Sequence, residues 1–197
     1  MLTVFSLSVF IVSWFIAIYL VSAVFLQQLP KLHVTKTVLY VIGLSALGLV
    51  GEVTINSVYN YFAGSPLWQY RIVPIHHAYT SLYAVFLWGI AGLAMYLTLY
   101  ILDKKRVTSL HLKALILCFE SWVFETMVNV SFYAVFGRYI FYYLPSDMGH
   151  FTSMQVVPFY LIVSYILILI FRRYENDPAF FILYSMGLGW VIAFLAR

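Results

Sequence analysis

Six long apolar stretches, separated by short polar connections, dominate the sequence. They cover residues 2–26, 37–63, 77–102, 114–136, 154–171 and 178–196. A helix of about 20 residues spans a hydrocarbon core of about 30 Å, so each stretch is long enough to cross a membrane. None alternates apolar and polar residues at every second position, as the strands of a β-barrel do. The pattern predicts an all-α integral membrane protein with six transmembrane helices in one domain, residues 1–197.

The composition agrees with a membrane protein. The chain is 64% hydrophobic and 9% charged, so its helices are apolar on every face and need lipid around them. Its net charge of +4 is small and scattered, and we expect no nucleic-acid partner. The first stretch lacks the basic region of a signal peptide, so we expect it to be retained. The lipid bilayer is therefore the first predicted partner of this chain.

Basic residues are distributed unequally between the two sides of the membrane. The first, third and fifth connections carry Lys31, Lys36, Lys104, Lys105, Arg106, Lys113, Arg172 and Arg173, whereas the other side carries Arg71, Arg138 and Arg197. Cytoplasmic connections are enriched in Lys and Arg. The asymmetry predicts that the odd-numbered connections are cytoplasmic and that both termini are exoplasmic.

Polar residues inside and beside the apolar stretches recur at an offset of 73 residues. The matching pairs are Glu52 with Glu125, Asn56 with Asn129, Gly64 with Gly137, Tyr70 with Tyr143, and His77 with His150. Each set reads Glu-x3-Asn-x7-Gly-x5-Tyr-x6-His. An apolar composition does not explain a recurring Glu, Asn and His. The sequence therefore predicts tandem helical-hairpin repeats at residues 37–103 and 110–176.

The two repeats run in the same direction, which has consequences for the architecture. They predict a four-helix core from the second to the fifth helix, with a pseudo-two-fold axis along the membrane normal and the first and last helices flanking it. Glu52 precedes Gly64 by twelve residues, or about 18 Å of helix, which places it near the middle of the bilayer. Glu125 is predicted at the same depth.

Glu52 and Glu125 are the candidate catalytic acids. A carboxylate at that depth is costly, so both should face the protein interior. Two acids brought close together cannot easily both ionise, and a shared or held proton is expected. Asn56 and Asn129 lie one helical turn away on the same face and are predicted to position them. In the alternative interpretation, each acid only links neighbouring helices by hydrogen bonds.

The aromatic connections that follow the second and fourth helices supply the candidate substrate-binding residues. These are Trp68, Tyr70, His76 and His77 in one connection and Tyr143 and His150 in the other. An interfacial aromatic belt is one explanation for them. A re-entrant lid is the other, and two Glu and two His would then be able to bind a metal ion such as zinc or iron. Without a lid, the histidines would line the mouth of a polar funnel.

Two further residues break the regular pattern. Glu120 has Leu47 at its equivalent position, and either a second proton position or a bond to a neighbouring helix would explain it. Pro158 lies inside the fifth apolar stretch, where we expect it to kink the helix.

Residues 52–77 resemble the duplicated membrane-bound carotenoid and terpenoid cyclases. The shared features are duplicated hairpins, intramembrane acids, the Trp68-x-Tyr70 pair and a histidine pair that follows Pro74. Those enzymes carry acidic pairs after the proline, where this chain has His76 and His77. The resemblance implies an enzyme that acts on isoprenoids, and it assigns no catalytic residue.

Three functional hypotheses follow from these residues. The first is a membrane-embedded enzyme that uses the two acids for acid and base chemistry on a hydrophobic small molecule, a lipid or an isoprenoid. The second is a small proton- or cation-coupled transporter or channel that uses the same residues as a relay. The third is a structural or assembly subunit. Transporters often interrupt their helices at the binding site, and the second and fourth stretches show no such break, which favours the enzyme.

Cysteine labelling tests the predicted orientation. The only cysteine, Cys118, lies inside the fourth stretch, so Lys105→Cys and Arg138→Cys introduce thiols into the third and fourth connections. With a membrane-impermeant maleimide, we expect Arg138→Cys to react in intact cells and Lys105→Cys to react only after permeabilisation. Labelling of Lys105→Cys from outside intact cells would overturn the orientation.

Overall fold

The structure, a computed structural model, describes residues 3–195 and is predominantly helical. Its helices are α1 (Val4–Leu26), α2 (Val34–Ala63), α3 (Ala84–Lys104), α4 (Leu110–Phe136), α5 (Val157–Tyr174) and α6 (Pro178–Leu195). Four short strands lie between them: β1 (Trp68–Tyr70), β2 (Pro74–Ile75), β3 (Thr80–Ser81) and β4 (Phe141–Tyr143). A 3-10 turn, Met154–Val156, precedes α5.

Five candidate membrane-spanning helices confirm the prediction of a multi-pass helical membrane protein. Helices α1 to α4, and α5 with its preceding 3-10 turn, are each long and apolar enough to cross a bilayer. In α6, the apolar helix found among the described residues covers Pro178–Leu188. The predicted first and last stretches include Leu2 and Ala196, and these residues, like Arg197, lie outside the described part of the chain.

The third predicted stretch begins seven residues too early. Helix α3 starts at Ala84 rather than at His77. The backbones of His76, His77 and Ala78 have φ angles of 51°, 54° and 67°, which a right-handed helix cannot contain. These residues form the turn between β2 and β3, which pair antiparallel.

The predicted kink at Pro158 is also wrong. Pro158 lies in the first turn of α5, where a helix has no backbone hydrogen bond to lose. The apolar stretch before it, which looked like helix, is instead the 3-10 turn.

Two helical hairpins form the centre of the fold. Helix α2 packs along α3, α4 packs along α5, and the pairs meet where α3 contacts α4 and α2 contacts α5. Helix α1 lies against α3, and α6 lies against α2. The α2–α3 packing is close at Gly92, where a β-carbon would lie 2.3 Å from the carbonyl oxygen of Tyr40.

Glycines end both of the helices that carry the candidate acids. Gly64 follows α2 and Gly137 follows α4, with left-handed φ angles of 73° and 69°. Their N–H groups donate to the carbonyls of Asn60 and Tyr133 at 2.9 and 2.8 Å. This left-handed cap strongly favours glycine, which explains why the residue recurs in the sequence.

The connections after α2 and α4 meet in an antiparallel ladder. Strands β1 and β4 pair with Gln69 opposite Tyr142, two residues that are 73 apart in the sequence. Beyond the strands, the Arg71 N–H donates to the Ile140 carbonyl at 2.7 Å, and the Leu144 N–H donates to the Leu67 carbonyl at 3.0 Å. Corresponding residues of the two connections therefore occupy corresponding positions in the ladder. We call residues 65–83 and 138–156 together the cap.

Charged residues hold the opposite ends of the helices together. Lys36 at the start of α2 pairs with Glu175 at 2.6 Å, and Lys113 at the start of α4 pairs with Asp103 at 2.6 Å. Arg172 near the end of α5 contacts both Asp103 and Glu175. The basic residues of the odd-numbered connections thus lie at the end of the bundle remote from the cap.

Replacing Gly92 with alanine tests the close packing of α2 on α3. The added methyl group meets backbone that cannot move aside, so Gly92→Ala should lower the free energy of unfolding by about 1–3 kcal/mol. In the control Gly187→Ala, on α6, the new β-carbon has no heavy atom within 4 Å and should leave stability unchanged or slightly raised. Thermal unfolding in detergent measures both. Equal melting temperatures for the two variants would contradict this packing.

Candidate functional site

The carboxyl group of Glu52 is buried beneath the cap. Its side chain is 5% exposed. The Tyr70 hydroxyl from β1 donates to Oε1, and the Thr80 hydroxyl from β3 donates to Oε2, both in short hydrogen bonds. The indole N–H of Trp88, in the first turns of α3, also donates to this carboxyl group. Glu52 therefore joins α2 to β1 and β3 of its own connection and to α3.

Glu125 has a corresponding set of partners. The Tyr143 hydroxyl from β4 donates to Oε2 at 2.9 Å, and the Thr152 hydroxyl donates to Oε1 at 2.6 Å. The hydroxyl of Tyr160, in the first turns of α5, donates to Oε2 in a short hydrogen bond. Glu125 is only partly buried, in contrast to Glu52.

The two sets of contacts follow one another along the sequence at a nearly constant offset. Glu52 and Tyr70 precede Glu125 and Tyr143 by 73 residues, whereas the later partners correspond at 72. The later pairs are Thr80 with Thr152 and Trp88 with Tyr160. One residue fewer in the second connection explains the change.

Two hydrogen bonds that do not involve the acids show the same change of offset. The Ser45 hydroxyl donates to the Val85 carbonyl at 2.8 Å, and the Cys118 thiol donates to the Val157 carbonyl at 3.5 Å. The donors correspond at an offset of 73 and the acceptors at 72. The correspondence therefore extends into the helix packing of both hairpins.

Asn56 anchors the cap rather than contacting Glu52. Its side chain is fully buried, and the amide donates to the carbonyls of Trp68 and Tyr79 at 3.3 and 3.4 Å. Its oxygen accepts from the backbone N–H of Leu67 at 2.9 Å. These bonds hold the cap segment that carries the acid's partners, so Asn56 positions Glu52 only indirectly.

Asn129 does the same for the second connection. It is also fully buried, donates to the carbonyls of Phe141 and Phe151 at 2.8 and 3.0 Å, and accepts from the N–H of Ile140 at 3.0 Å. None of these bonds joins an asparagine to its acid, so the predicted positioning of the acids by Asn56 and Asn129 is indirect. Each amide instead satisfies backbone groups that would otherwise be buried without partners.

Four aromatic residues of the cap are buried in the protein interior. Trp68, Tyr70, Phe141 and Tyr143 are at most 6% exposed. Burial, together with the nearby carboxyl group of Glu52, raises the pKa of Tyr70 well above its usual value. Burial and Glu125 have the same effect on the pKa of Tyr143. Both phenols therefore stay protonated and serve as hydrogen-bond donors.

The histidines remain at the outer side of the cap. His77 is exposed in the β2–β3 turn, with its ring 6.0 Å from that of Tyr79, and His76 lies in the same turn. His150 stacks on Tyr142 at 4.2 Å, and its Nδ1 lies 2.7 Å from the Tyr143 carbonyl. Neither the ring contact of His77 nor the hydrogen bond of His150 involves a carboxyl group.

The structure does not support a metal site built from the two acids and two histidines. Among residues 3–195, no three His, Cys, Asp or Glu side chains are arranged to hold a metal ion. The match between His77 and His150 also fails in detail. The Tyr143 N–H donates to the His150 carbonyl, as the Tyr70 N–H donates to that of Ala78. His150 therefore takes the place of Ala78.

A cavity of about 100 Å³ lies between the two hairpins, and both acids line it. Its walls come from α2, α3, α4, α5 and the paired strands, and they include Gly51, Ile55, Trp88, Phe124, Phe141 and Val163. No Lys, Arg or His is among the described side chains of this lining. The surface is apolar apart from the carboxyl groups and the hydroxyl groups around them.

Both acids line the same cavity, as do Tyr70, Tyr143 and Tyr160. The sequence identified both acids and, of these tyrosines, Tyr70 and Tyr143. It missed Thr80, Thr152, Trp88 and Tyr160. Continuing the repeat at an offset of 72 would have found the threonine pair.

No family model, curated protein or solved structure matches this chain. The arrangement of the site is therefore the main guide to its chemistry.

Leucine at position 56 tests the role of the asparagines. Asn56→Leu leaves several buried backbone groups unpaired, each at a cost of about 1–3 kcal/mol, so we expect a loss of about 2–4 kcal/mol in stability. The cap should also open, and trypsin should cut faster at the exposed Arg71. The control is Asn60→Leu, one helical turn further along. Unchanged proteolysis in Asn56→Leu would show that the amide does not hold the cap.

Proposed function

We propose that this protein is a membrane-embedded enzyme that acts on a lipid or isoprenoid substrate by acid and base chemistry. The proposal rests on one observation: the carboxyl groups of Glu52 and Glu125 lie on the wall of one apolar cavity, and each accepts hydrogen bonds from neighbouring side chains. A lipid-derived substrate fits such a lining, because binding sites for small molecules are mostly apolar with a few placed polar groups. Among the described lining residues there is no Lys, Arg or His to bind a phosphate.

The proposal includes the tandem architecture. We propose that residues 37–103 and 110–176 are repeats around a pseudo-two-fold axis through the β1–β4 ladder, and that six helices cross the membrane with both termini exoplasmic. The matching partners of Glu52 and Glu125 support the repeats. The basic residues at the end of the bundle opposite the cap support the orientation. The cap then lies on the exoplasmic side.

The chemistry that suits two acids is a proton transfer in each direction. The protonated acid adds its proton to a carbon–carbon double bond of the substrate. The other acid, as a carboxylate, removes a proton from a neighbouring carbon of the resulting cation. The substrate keeps its elemental composition, so the reaction class is isomerisation or cyclisation. A proton returned from one acid to the other restores the site.

The donors around each acid suggest which one holds the proton. Glu52 accepts from the indole N–H of Trp88, which can donate but never accept. The other two partners of Glu52 are hydroxyl groups, whereas all three partners of Glu125 are hydroxyl groups, which can turn to accept a bond from a protonated carboxyl group. Glu125 thus has one more possible acceptor for its proton. We therefore assign Glu125 as the acid and Glu52 as the base.

Aromatic rings on the cavity wall suit a cationic intermediate. Trp88, Phe124 and Phe141 line the space between the acids. The face of an aromatic ring attracts a cation, and the attraction is strongest where water is excluded. Tyr70 and Tyr143 complete the lining on the cap side as substrate-binding residues, while Trp68 lines the same space.

The alternative functions use the same residues in other ways. In a proton-coupled transporter, Glu52 and Glu125 would relay protons, yet α2 and α4 run unbroken past them, whereas such transporters often interrupt their helices at the site. In a structural subunit, the acids would only hold the cap in place. The hydrogen-bond donors around each acid are the observation that favours this hypothesis.

Deuterium labelling tests the enzyme hypothesis before the substrate is known. The purified protein, in lipid nanodiscs and D₂O, is incubated with the neutral isoprenoids of its native membranes. We expect carbon-bound deuterium in one component by mass spectrometry. Glu52→Gln and Glu125→Gln should each lower the rate by about 100-fold or more, because acid–base groups contribute about 10²–10⁴. The double variant should be no worse than the worse single one.

Two glycine variants serve as controls. A β-carbon at Gly51 has no heavy atom within 4 Å and Gly51 lines the cavity, so Gly51→Leu should fill the site and stop labelling in a folded protein. Gly187→Leu, on the exposed side of α6, should leave labelling intact. Proton flux into liposomes that both glutamine variants abolish, without any labelling, would instead favour the transporter. Loss of stability alone would favour the structural role.

A further inference from the structure

A second, smaller cavity adjoins the first one. Its volume is about 40 Å³, and it shares Trp88, Phe124 and Tyr160 with the larger cavity. It also reaches residues that the larger cavity does not, including Met95 and Leu117. The second cavity is thus a neighbour of the first and is lined by residues further from the cap than Glu52 and Glu125.

Glu120 lies on the wall of the second cavity. It precedes Glu125 by five residues, or about 7.5 Å along α4. Its Oε1 accepts from the Thr98 hydroxyl of α3 at 2.8 Å. Its Oε2 is buried and has no hydrogen-bond partner among the described residues. Since a buried polar atom is costly when it is unpaired, this oxygen is expected to receive a partner during function.

The fold itself does not require an acid at this position. The equivalent residue of the first hairpin is Leu47, an apolar residue that lines the larger cavity. The asparagines and acids of the two hairpins have corresponding partners, whereas Glu120 has no polar counterpart in the first hairpin. The bond to Thr98 accounts for one carboxyl oxygen and leaves the other unexplained.

We propose that Glu120 binds the hydroxyl or ammonium group at the far end of an amphiphilic ligand whose apolar part fills the first cavity. This rests on the proposed function and narrows its substrate class. Oε2 supplies the acceptor, and Ser121 and Ser164 line the same small cavity. An anionic end group is excluded, because a carboxyl group repels it and no described Lys, Arg or His lines the cavity.

Three ligands with one carbon skeleton test this assignment. Geraniol, geranylamine and the hydrocarbon myrcene are titrated against the purified protein in nanodiscs, with the fluorescence of tryptophan as the readout. The wild-type protein should bind the alcohol and the amine at least about tenfold more tightly than the hydrocarbon, since a site built to hydrogen-bond a group rejects the analogue without it.

Two variants of Glu120 separate its charge from its shape. Glu120→Leu installs the residue of the other hairpin and should bind all three ligands with the affinity of the hydrocarbon. Glu120→Gln keeps an acceptor oxygen, so it should retain a preference for the alcohol and lose most of that for the amine. Gly51→Leu should abolish binding of all three. Melting temperatures establish that each variant is folded.

The outcomes also separate this inference from the proposed function. Equal affinity of the wild type for the three ligands, or a preference that persists in Glu120→Leu, would overturn the role of Glu120. Deuterium labelling that continues in either case would leave the enzyme hypothesis standing. Absence of binding by every ligand, together with absence of labelling, would overturn both.

Discussion

The placement of two carboxyl groups inside an apolar bundle is the constraint on which the rest of the structure depends. Neither acid has a basic side chain on the wall of its cavity, so each must be stabilised by neutral donors. The chain supplies two hydroxyl donors to each acid from the cap, which folds back over the helix ends, and one further donor from α3 or α5. A connection that only crossed the surface would leave Glu52 without Tyr70 and Thr80. The inward folding of the cap is therefore a consequence of the buried acids as much as of its aromatic composition.

The asparagines explain how a short connection holds such a position. A loop that enters an apolar region carries backbone groups that need partners, and a single buried amide satisfies several of them. Asn56 and Asn129 each bond backbone on both arms of their connection. The β1–β4 ladder then joins the two connections, so that the hairpins are linked at the cap, through the helix contacts and through the ion pairs at the far end.

The sequence predicts the parts of this design that depend on composition and identity. The length of the apolar stretches predicts the helices. The recurring Glu, Asn, Gly and Tyr identify the two acids, the asparagines that anchor the cap, the glycines that end α2 and α4, and one tyrosine partner of each acid. The threonines were missed because the offset changes from 73 to 72 between Tyr70 and Thr80. Trp88 and Tyr160 were missed because the corresponding positions hold different residue types. The histidine match shows the opposite error, since identical residues at the expected offset occupy different places in the backbone. The start of α3 was missed because three left-handed residues are not visible in an apolar pattern.

The cap segments reach the same chemical result by different backbones. The first connection forms the β2–β3 pair, whereas the second ends in a 3-10 turn. At the start of that turn, the Ser153 hydroxyl and the Met154 N–H donate to Asp147 at 3.1 and 2.8 Å. Both nevertheless place one threonine hydroxyl and one tyrosine hydroxyl on an acid. The local backbone structure differs between the two connections, whereas the hydroxyl donors to the acids are the same. The placement of these donors is therefore the feature that the fold maintains. This argues that the surroundings of Glu52 and Glu125 serve the carboxyl groups, and that the cap is built to suit them.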